Sequence, residues 1–272
     1  MTHRFPRLAA RAAAEGQALF VPFLVVGDPD PDLSLQLALD LVEAGADALE
    51  LGFAFSDPPA DGPVVQAADQ RALAAGMTVA GAFDWIARLR QHTQVPVSLL
   101  VYYNLVLQHD VDTFYTRADE VGVDAVLVAD LPPEHADPVL AAARDNSVAT
   151  VFLMSELSTP ERLARIGEVC RGYVYALSRV GVTGARTEVR SGLADSLARM
   201  RAATTLPLLV GFGIATPDHV RAARRAGADG VIVGSALVKH IEANLNHPSA
   251  MRAALTTHAR ALAAAAKEPL SC

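Results

Sequence analysis

Clustered cysteines, an excess of positive charge and long apolar runs are all missing from this sequence. It has only two cysteines, Cys170 and Cys272, which are too far apart for a CxxC motif and provide no disulfide framework. The formal net charge is −7 at pH 7 and the basic residues form no cluster, which argues against nucleic-acid binding. No apolar run reaches the roughly 18 residues that span a membrane. We therefore expect no membrane segment and a location in the reducing cytoplasm.

Motifs for metal, dinucleotide or serine-nucleophile chemistry are also missing. The histidines show no ligand spacing, and neither an H-E-x-x-H motif nor a nucleophile elbow occurs. No G-x-G-x-x-G fingerprint follows the first apolar run, which counts against a dinucleotide-binding fold. We expect no metal site.

What the sequence does contain is a regular alternation of short apolar runs and longer helical stretches. Apolar residues make up 51% of the 272 residues and charged residues 19%, a composition typical of a folded globular protein. Each run is apolar on both parities, which is typical of a parallel strand covered on both faces. The runs cover residues 20–26, 48–52, 97–103, 125–130, 149–154, 172–178, 207–213 and 229–235.

A repeated phrase links several of these units. In "EAGADALELG", "EVGVDAVLVAD" and "RAGADGVIVGS", a helix ends on Gly and an Asp precedes the next strand. Eight βα units without a break in composition predict an α/β fold, a single-domain (β/α)₈ TIM barrel. We expect an N-terminal extra helix over about 5–18 and the barrel over about 19–265. A doubly wound open sheet is the alternative.

Glu50 is the first candidate for chemistry because it lies inside the apolar run "ALELG". A buried carboxylate is costly unless it is paired or functional, and burial raises its pKa toward the range that suits a general acid or base. The alternative is a structural carboxylate. Asp61 and Asp57 lie in the next loop, "FAFSDPPADGP", where an acid is more often a turn residue.

Glycines after the last two strands predict a phosphate site. Strand seven ends in Gly211-Phe212-Gly213, and strand eight ends in Gly234-Ser235 before a helix. Barrels often bind phosphate at these loops, where backbone N–H groups and a helix N-terminus favour an anion. A further glycine-rich segment, 178–187, suits a lid that closes on substrate, and Asp130 is interpreted as a structural partner.

Together these segments resemble the tryptophan synthase α subunit family over nearly the whole chain from Phe20 onward. "LELGFAFSDPPADGP" is similar to the family's strand-two signature, and "FVPFLVVGDP" resembles its strand one. "LLVYYNLV", "VGVDAVLVADLP", "GYVYALSRVGVTGA", "GFGIATPDHV" and "GSALVKHIE" match later strands in order.

The resemblance implies a retro-aldol cleavage of indole-3-glycerol phosphate to indole and glyceraldehyde 3-phosphate. Glu50 matches the catalytic glutamate, which transfers protons, and Asp61 the catalytic aspartate, which hydrogen-bonds the indole N–H. The positions matching the substrate pocket are Phe23, Leu100, Tyr102, Leu127, Ala129, Leu153, Tyr175, Thr183 of the lid, and Phe212. Those matching phosphate-binding positions are Gly184, Gly213, Ile214, Gly234 and Ser235.

The resemblance also implies a partner. Family members usually join a β subunit that carries pyridoxal phosphate in an α2β2 complex, so no cofactor is expected on this chain. The loops near Asp57 and Gly181 match the partner-facing segments. Three positions depart from the family: Ala54 replaces a usual Pro, Val25 stands near a usual Thr, and Val180 replaces a small polar residue.

Three other functions stay open. The chain could be a free-standing lyase that releases indole, or a weakly catalytic homologue that activates a β subunit. A phosphoribosyl isomerase is more remote, because its substrate carries two phosphates and the sequence shows one convincing phosphate site.

Overall fold

The computed structural model describes residues 3–177 and 188–269. Eight parallel strands form a closed barrel in sequence order, from β1 to β8. Each successive pair of strands is parallel, and β8 pairs with β1 to close the barrel. The strands are β1 Leu19–Val25, β2 Leu49–Gly52, β3 Val97–Val101, β4 Ala125–Val128, β5 Ala149–Ser155, β6 Val174–Leu177, β7 Leu208–Gly211 and β8 Gly230–Val233. The prediction of a TIM barrel is confirmed, and the open sheet is excluded.

Helices surround the barrel and connect its strands. They are α1 Arg4–Ala14, α2 Pro31–Glu43, α3 Pro63–Ala74, α4 Val79–Arg90, α5 Tyr103–Gln108, α6 Val111–Glu120, α7 Asp137–Asp145, α8 Pro160–Val169, α9 Glu188–Ala203, α10 Pro217–Arg225, α11 Ser235–Glu242 and α12 Pro248–Lys267, with a 3₁₀ turn at Pro133–His135. Local sequence fixes several helix starts. Thr216, for example, accepts a hydrogen bond from the His219 backbone N–H, and Pro217 occupies the first turn of α10.

The repeated Gly-then-Asp phrase has a structural cause. Each Asp lies just before a strand and accepts a hydrogen bond from a backbone N–H at the start of the strand that precedes it in the sequence. Asp47 accepts from Phe20, Asp124 from Val97 and Asp229 from Leu208, at 2.7–2.8 Å. These carboxylates also pair with Lys267, Arg4 and Arg90, and Arg201, respectively. The Asp residues of the repeat therefore connect neighbouring strands at the amino-terminal end of the barrel.

The N-terminal helix is shorter than the sequence predicts. α1 ends at Ala14, because the chain turns at Gly16 with a φ of +67°, a left-handed conformation that terminates helices. Phe5, Ala9 and Ala12 bury one face of α1, and the Phe5 ring packs on Tyr173 with 4.8 Å between centroids.

The two ends of the described chain meet beside the seam between β1 and β8. The backbone N–H of Ala18 donates to Ala266 O, and Lys267 pairs with Asp47. Buried Arg224 donates to Ala265 O and Gly16 O at 2.8 and 2.9 Å. This group of contacts holds the end of α12 against the start of β1.

Candidate active site

Glu50 lies inside the barrel on β2, level with Phe23 of β1 and Ser98 of β3. Its side chain is among the most deeply buried carboxyls, since the residue is 1% exposed. The Tyr173 hydroxyl donates to Glu50 Oε1 at 3.0 Å and lies 2.9 Å from Ser98 Oγ. This hydrogen bond holds the carboxyl in one orientation inside a mostly apolar barrel.

Burial controls the protonation of Glu50. Loss of hydration raises the pKa of Glu50 to about 8, the nearby negative charge of Asp61 adds to the rise, and the Tyr173 hydrogen bond opposes it. A carboxyl with this pKa is mostly protonated at neutral pH, so it can donate a proton and then take one back.

Asp61 lies in the loop between β2 and α3, above the carboxyl end of the barrel. The Tyr102 hydroxyl donates to Asp61 Oδ2 at 2.7 Å and accepts from the Ala60 backbone N–H at 3.2 Å. Partial burial raises the pKa of Asp61, while the Tyr102 hydrogen bond lowers it. The Phe55 ring stacks on Tyr102 with 5.2 Å between centroids. The structure thus brings Asp61 to the same end of the barrel as Glu50, and Tyr102 orients it.

A cavity of about 340 Å³ opens at the carboxyl ends of β4 and β5. Leu127, Ala129 and Leu153 line it, together with Phe152 and Arg162. Its volume falls in the range of small-molecule sites. Leu100 is level with Leu127 on the neighbouring strand, so these residues share the mouth of the barrel.

Tyr175 and Phe212 continue the mouth of the barrel beyond β5, on β6 and just after β7. Tyr175 is level with Leu153 and is buried, and burial with the nearby Glu50 and Asp61 charges raises the pKa of its hydroxyl. A Cβ on Gly211 would lie 2.2 Å from the Tyr175 ring and hydroxyl, so only glycine fits beside it. Phe212 is 61% exposed and has a φ of +83°, which is uncommon for a residue with a side chain.

The predicted phosphate residues meet where β7 and β8 end side by side. Gly213 and Ile214 follow β7, and Gly234 is the N-cap of α11, with Ser235 at its first position. The N-cap Gly234 has no side chain to cap α11, so the first N–H groups of the helix are available as donors for an anion. A Cβ on Gly234 would lie 3.3 Å from the Phe23 ring.

Three imidazoles lie beside the backbone of the segment that follows β7. His258 Nε2 lies 2.9 Å from Ala215 O, and His258 Nδ1 lies 2.9 Å from His240 Nε2. His219 Nδ1 accepts from the Ala215 backbone N–H at 3.2 Å. These contacts fix the backbone after Gly213.

Several predicted residues fall elsewhere. Thr183, Gly184, Gly181 and Val180 lie outside the described residues. Asp57 is exposed and accepts a hydrogen bond from Ser56 Oγ at 2.5 Å, which leaves it at the surface of the loop.

Asp130 and two of the positions that differ from the family, Ala54 and Val25, lie within the described residues. Ala54 is half-buried under the loop, and Val25 is buried at the end of β1. Asp130 accepts from the Tyr103 backbone N–H at 2.7 Å, a structural contact.

Tyr173 is the site residue that sequence reasoning missed. It precedes β6 and lies two residues before Tyr175, so the two side chains share the inward face. The two-residue spacing from Tyr175 is therefore a sequence signal that Tyr173 also faces into the barrel. The pairing of Tyr173 with Glu50, 123 residues away in sequence, cannot be predicted from local pattern.

Metal-ligand clusters and membrane-spanning helices are both absent from the described residues. Across 3–177 and 188–269, the His, Cys, Asp and Glu side chains form no group of three that could hold a metal ion. Within the same ranges, none of the helices combines the length and apolar character needed to cross a membrane.

Comparison with known proteins agrees with this geometry. The family described as tryptophan synthase alpha chain matches residues 9–267. The chain is 52% identical to the tryptophan synthase alpha chain of Methanothermobacter thermautotrophicus over 232 residues, covering 85% of this chain and 86% of the relative. It is 45% identical to the Escherichia coli protein of that name over 265 residues, covering 97% and 99%.

Solved structures show the same likeness. Tryptophan synthase subunit alpha from Legionella pneumophila superposes with a TM-score of 0.90 at 32% identity, covering 97% of this chain and 98% of that one. A chain of Mycobacterium tuberculosis tryptophan synthase gives 0.87 at 32% identity, covering 98% and 100%. With a buried acid on β2, a second acid in the next loop and sequence matches over almost its whole length, the chain belongs to the tryptophan synthase alpha chain family, the lyase-type α subunits of tryptophan biosynthesis.

Proposed function

We propose that the chain cleaves indole-3-glycerol phosphate into indole and glyceraldehyde 3-phosphate, with Glu50 and Asp61 as the catalytic residues. The observation that carries the proposal is the buried Glu50 carboxyl, held by Tyr173 at 3.0 Å and mostly protonated at neutral pH. Retro-aldol cleavage needs one group that gives a proton to carbon and then accepts one from a hydroxyl.

Glu50 alone can carry out both proton transfers of the cleavage. Protonated Glu50 gives its proton to indole C3, and the positive charge that develops spreads to the ring nitrogen. The Glu50 carboxylate then takes the proton of the adjacent glycerol hydroxyl. The bond between indole C3 and the side chain breaks, its electron pair restores the indole ring, and the hydroxyl carbon becomes the aldehyde of glyceraldehyde 3-phosphate.

Asp61 stabilises the charged intermediate. Its carboxylate accepts the indole N–H, which becomes more acidic when C3 is protonated, and the interaction is therefore strongest after the proton transfer. Tyr102 holds one oxygen of Asp61 at 2.7 Å, which leaves the other for substrate.

The remaining predicted residues bind the two ends of the substrate. The indole ring occupies the apolar mouth between Leu100, Leu127, Leu153 and Tyr175. The phosphate binds the N–H groups of Gly213, Ile214, Gly234 and Ser235, where the α11 dipole favours negative charge. We propose Thr183 as the lid residue and Gly184 as a further phosphate ligand.

We also propose that the chain needs no cofactor of its own and works with a tryptophan synthase β subunit that carries pyridoxal phosphate. The solved M. tuberculosis relative carries the name tryptophan synthase, not the name of the alpha chain alone. The loop with the exposed Asp57, beside Asp61, is the proposed contact with the β subunit, and binding of the β subunit there would affect the active site. Gly181 belongs to the second proposed partner-facing segment.

The test is an indole-release assay on purified protein with synthetic indole-3-glycerol phosphate. We expect the wild type to release equal amounts of indole and glyceraldehyde 3-phosphate, and Glu50→Gln to release neither while still binding substrate. Glu43→Gln, at an exposed position on α2, is the control and should keep full activity. Near-normal turnover by Glu50→Gln would exclude the acid–base assignment.

The same assay separates the alternatives. Strong stimulation by added β subunit supports the α-subunit role, and high activity without it supports a free-standing lyase. Activity unchanged by a metal chelator and by pyridoxal phosphate supports chemistry that needs no cofactor on this chain.

A further inference from the structure

Asp69 is a buried carboxyl below the loop that carries Asp61. It lies on the inner face of α3, with Val65, Ala68 and Ala72, and is 3% exposed. Within the described residues, its Oδ2 is a buried oxygen with no hydrogen-bond partner. A buried polar atom without a hydrogen-bond partner destabilises the fold, so an acid kept at this position indicates a role.

In the part of the chain that the structure describes, the surroundings of Asp69 contain one backbone donor, two further acids and the Tyr102 hydroxyl. The backbone amide of Phe55 faces its carboxyl as a donor, and the charges of Asp61 in the loop and Asp28 after β1 oppose its ionisation. Arg71, two residues further along α3, pairs with Asp28 at 2.6 and 2.9 Å, and Glu242 of α11 faces that pair. Within ranges 3–177 and 188–269, no cation therefore neutralises Asp69.

A chain of contacts leads from Asp69 to Asp61. The Phe55 backbone meets the Asp69 carboxyl, and the Phe55 ring stacks on Tyr102 at 5.2 Å with 26° between planes. The Tyr102 hydroxyl then donates to Asp61 at 2.7 Å. Moving the backbone at Phe55 would displace the ring, then Tyr102, and then the carboxylate.

We propose that Asp69 is a positioning residue for the cleavage reaction: it holds the backbone amide of Phe55 and, through Phe55 and Tyr102, sets the place of the Asp61 carboxylate. The inference rests on the proposed function of Asp61. Asp69 does this as a neutral acid, because burial and the Asp61 charge raise the pKa of Asp69 to about 8. It thus fixes the loop without placing a second negative charge beside Asp61, and the unpartnered Oδ2 is the site for its proton.

Two substitutions separate shape from charge. Asp69→Asn keeps the size and the acceptor for the Phe55 N–H and cannot ionise, whereas Asp69→Leu keeps the approximate size and removes the acceptor. Asp69→Ala serves if the leucine variant does not fold. Asp40→Asn is the matched control, because Asp40 is a buried acid on α2 that pairs with Arg252 and does not touch the loop.

Two readouts are combined. Amide hydrogen exchange of the 53–61 segment, followed by mass spectrometry, reports the loop without requiring activity. Indole release between pH 6 and 10 reports the chemistry. For Asp69→Leu we expect faster exchange around Phe55 and a kcat at pH 7 at least tenfold lower. For Asp69→Asn we expect wild-type protection, a kcat within about threefold at pH 7, and one ionisation fewer on the alkaline side. Asp40→Asn should change neither readout, whatever it does to the thermal midpoint.

The proposal is overturned if folded Asp69→Leu keeps both loop protection and a kcat within twofold of wild type. It is also overturned if Asp69→Asn is as impaired as Asp69→Leu at pH 7, since an ionised carboxylate would then be the required form. If the wild type cleaves no indole-3-glycerol phosphate, the proposed function fails, while the exchange measurement still decides whether Asp69 holds the loop.

Discussion

Tyr173 reaches across the inside of the barrel and donates a hydrogen bond to Glu50, with 3.0 Å between Tyr173 Oη and Glu50 Oε1. The two residues are 123 positions apart in sequence and come from opposite parts of the barrel. Burial and the Asp61 charge raise the pKa of Glu50, and this hydrogen bond limits the rise. The contact therefore controls both the orientation and the proton affinity of the acid.

Removing the Tyr173 hydroxyl should move the pH dependence of cleavage. Tyr173→Phe deletes the contact that stabilises ionised Glu50, so the pKa of Glu50 should rise above about 8 and the alkaline limb of kcat should move to higher pH. The pH–rate profile measures this, and recording it in an Asp69→Asn background separates the two alkaline ionisations. Tyr115→Phe is the control, since the Tyr115 hydroxyl is buried and has no partner in the described part of the chain. An alkaline limb that stays in place or moves to lower pH would contradict the assignment.

Glu50→Gln should stabilise the fold while it removes activity. The pKa of Glu50 is raised from 4.5 to about 8 on folding, so the folded protein binds this proton more tightly than the unfolded chain does. The stabilising effect of the proton is complete below pH 4.5 and is lost as the pH rises to about 8. At pH 7 the carboxyl costs about 3 kcal/mol relative to a neutral group. Urea unfolding at pH 5, 7 and 9 should show an advantage of Glu50→Gln that grows with pH, and an advantage independent of pH would argue against a raised pKa.

Loss of the Asp61 charge should lower kcat more than loss of its hydrogen-bond partner, the Tyr102 hydroxyl. Asp61→Asn should lower kcat by at least about 10²-fold, because it removes the charge that stabilises protonated indole. Tyr102→Phe should lower kcat by about tenfold, since it keeps Asp61 and deletes the 2.7 Å hydrogen bond that orients it. Steady-state indole release measures both. An effect below about fivefold for Asp61→Asn would indicate that Asp61 is only a turn residue.

Gly211→Ala should damage the mouth of the barrel. The added Cβ would lie 2.2 Å from the Tyr175 ring and hydroxyl, so Tyr175 must move. We expect kcat/KM to fall by at least about tenfold and the free energy of unfolding by about 1–3 kcal/mol, as for other overpacked cores. Gly192→Ala is the matched control, because a Cβ there meets nothing within 4 Å.

A second substitution tests the cause of that damage. Tyr175→Leu should relieve much of the Gly211→Ala destabilisation in the double variant, because the two side chains compete for one space. Chemical denaturation of the four proteins gives the coupling energy, and strictly additive effects would refute the steric explanation.

The sequence predicted the architecture better than the site. Eight runs apolar on both parities gave the strands, and the Asp residues of the repeated phrase lie at equivalent places because each binds the start of the preceding strand. The end of α1 differed from its prediction by about four residues, because the Ala-rich pattern continues past the left-handed turn at Gly16.

Among the candidate acids, local sequence supported only Glu50. An acid within an apolar strand is unusual by itself, whereas Asp61 lies among ordinary turn residues and was identified only by resemblance to the family. Asp69 also lacks a local signal, because a buried acid on a helix cannot be told from an exposed one without knowing which face packs inward. Which strands face each other, and hence which groups meet, depends on barrel closure.

The contacts that hold α12 against the start of β1 have a consequence for folding during synthesis. Lys267 and Asp47 are 220 residues apart, and Arg224 and Gly16 are 208 residues apart. The seam between β1 and β8 therefore gains these contacts only after nearly all of the described chain has emerged from the ribosome. Until then the edges of the half-formed sheet stay open to pairing with other chains, so aggregation competes with closure of the barrel during synthesis.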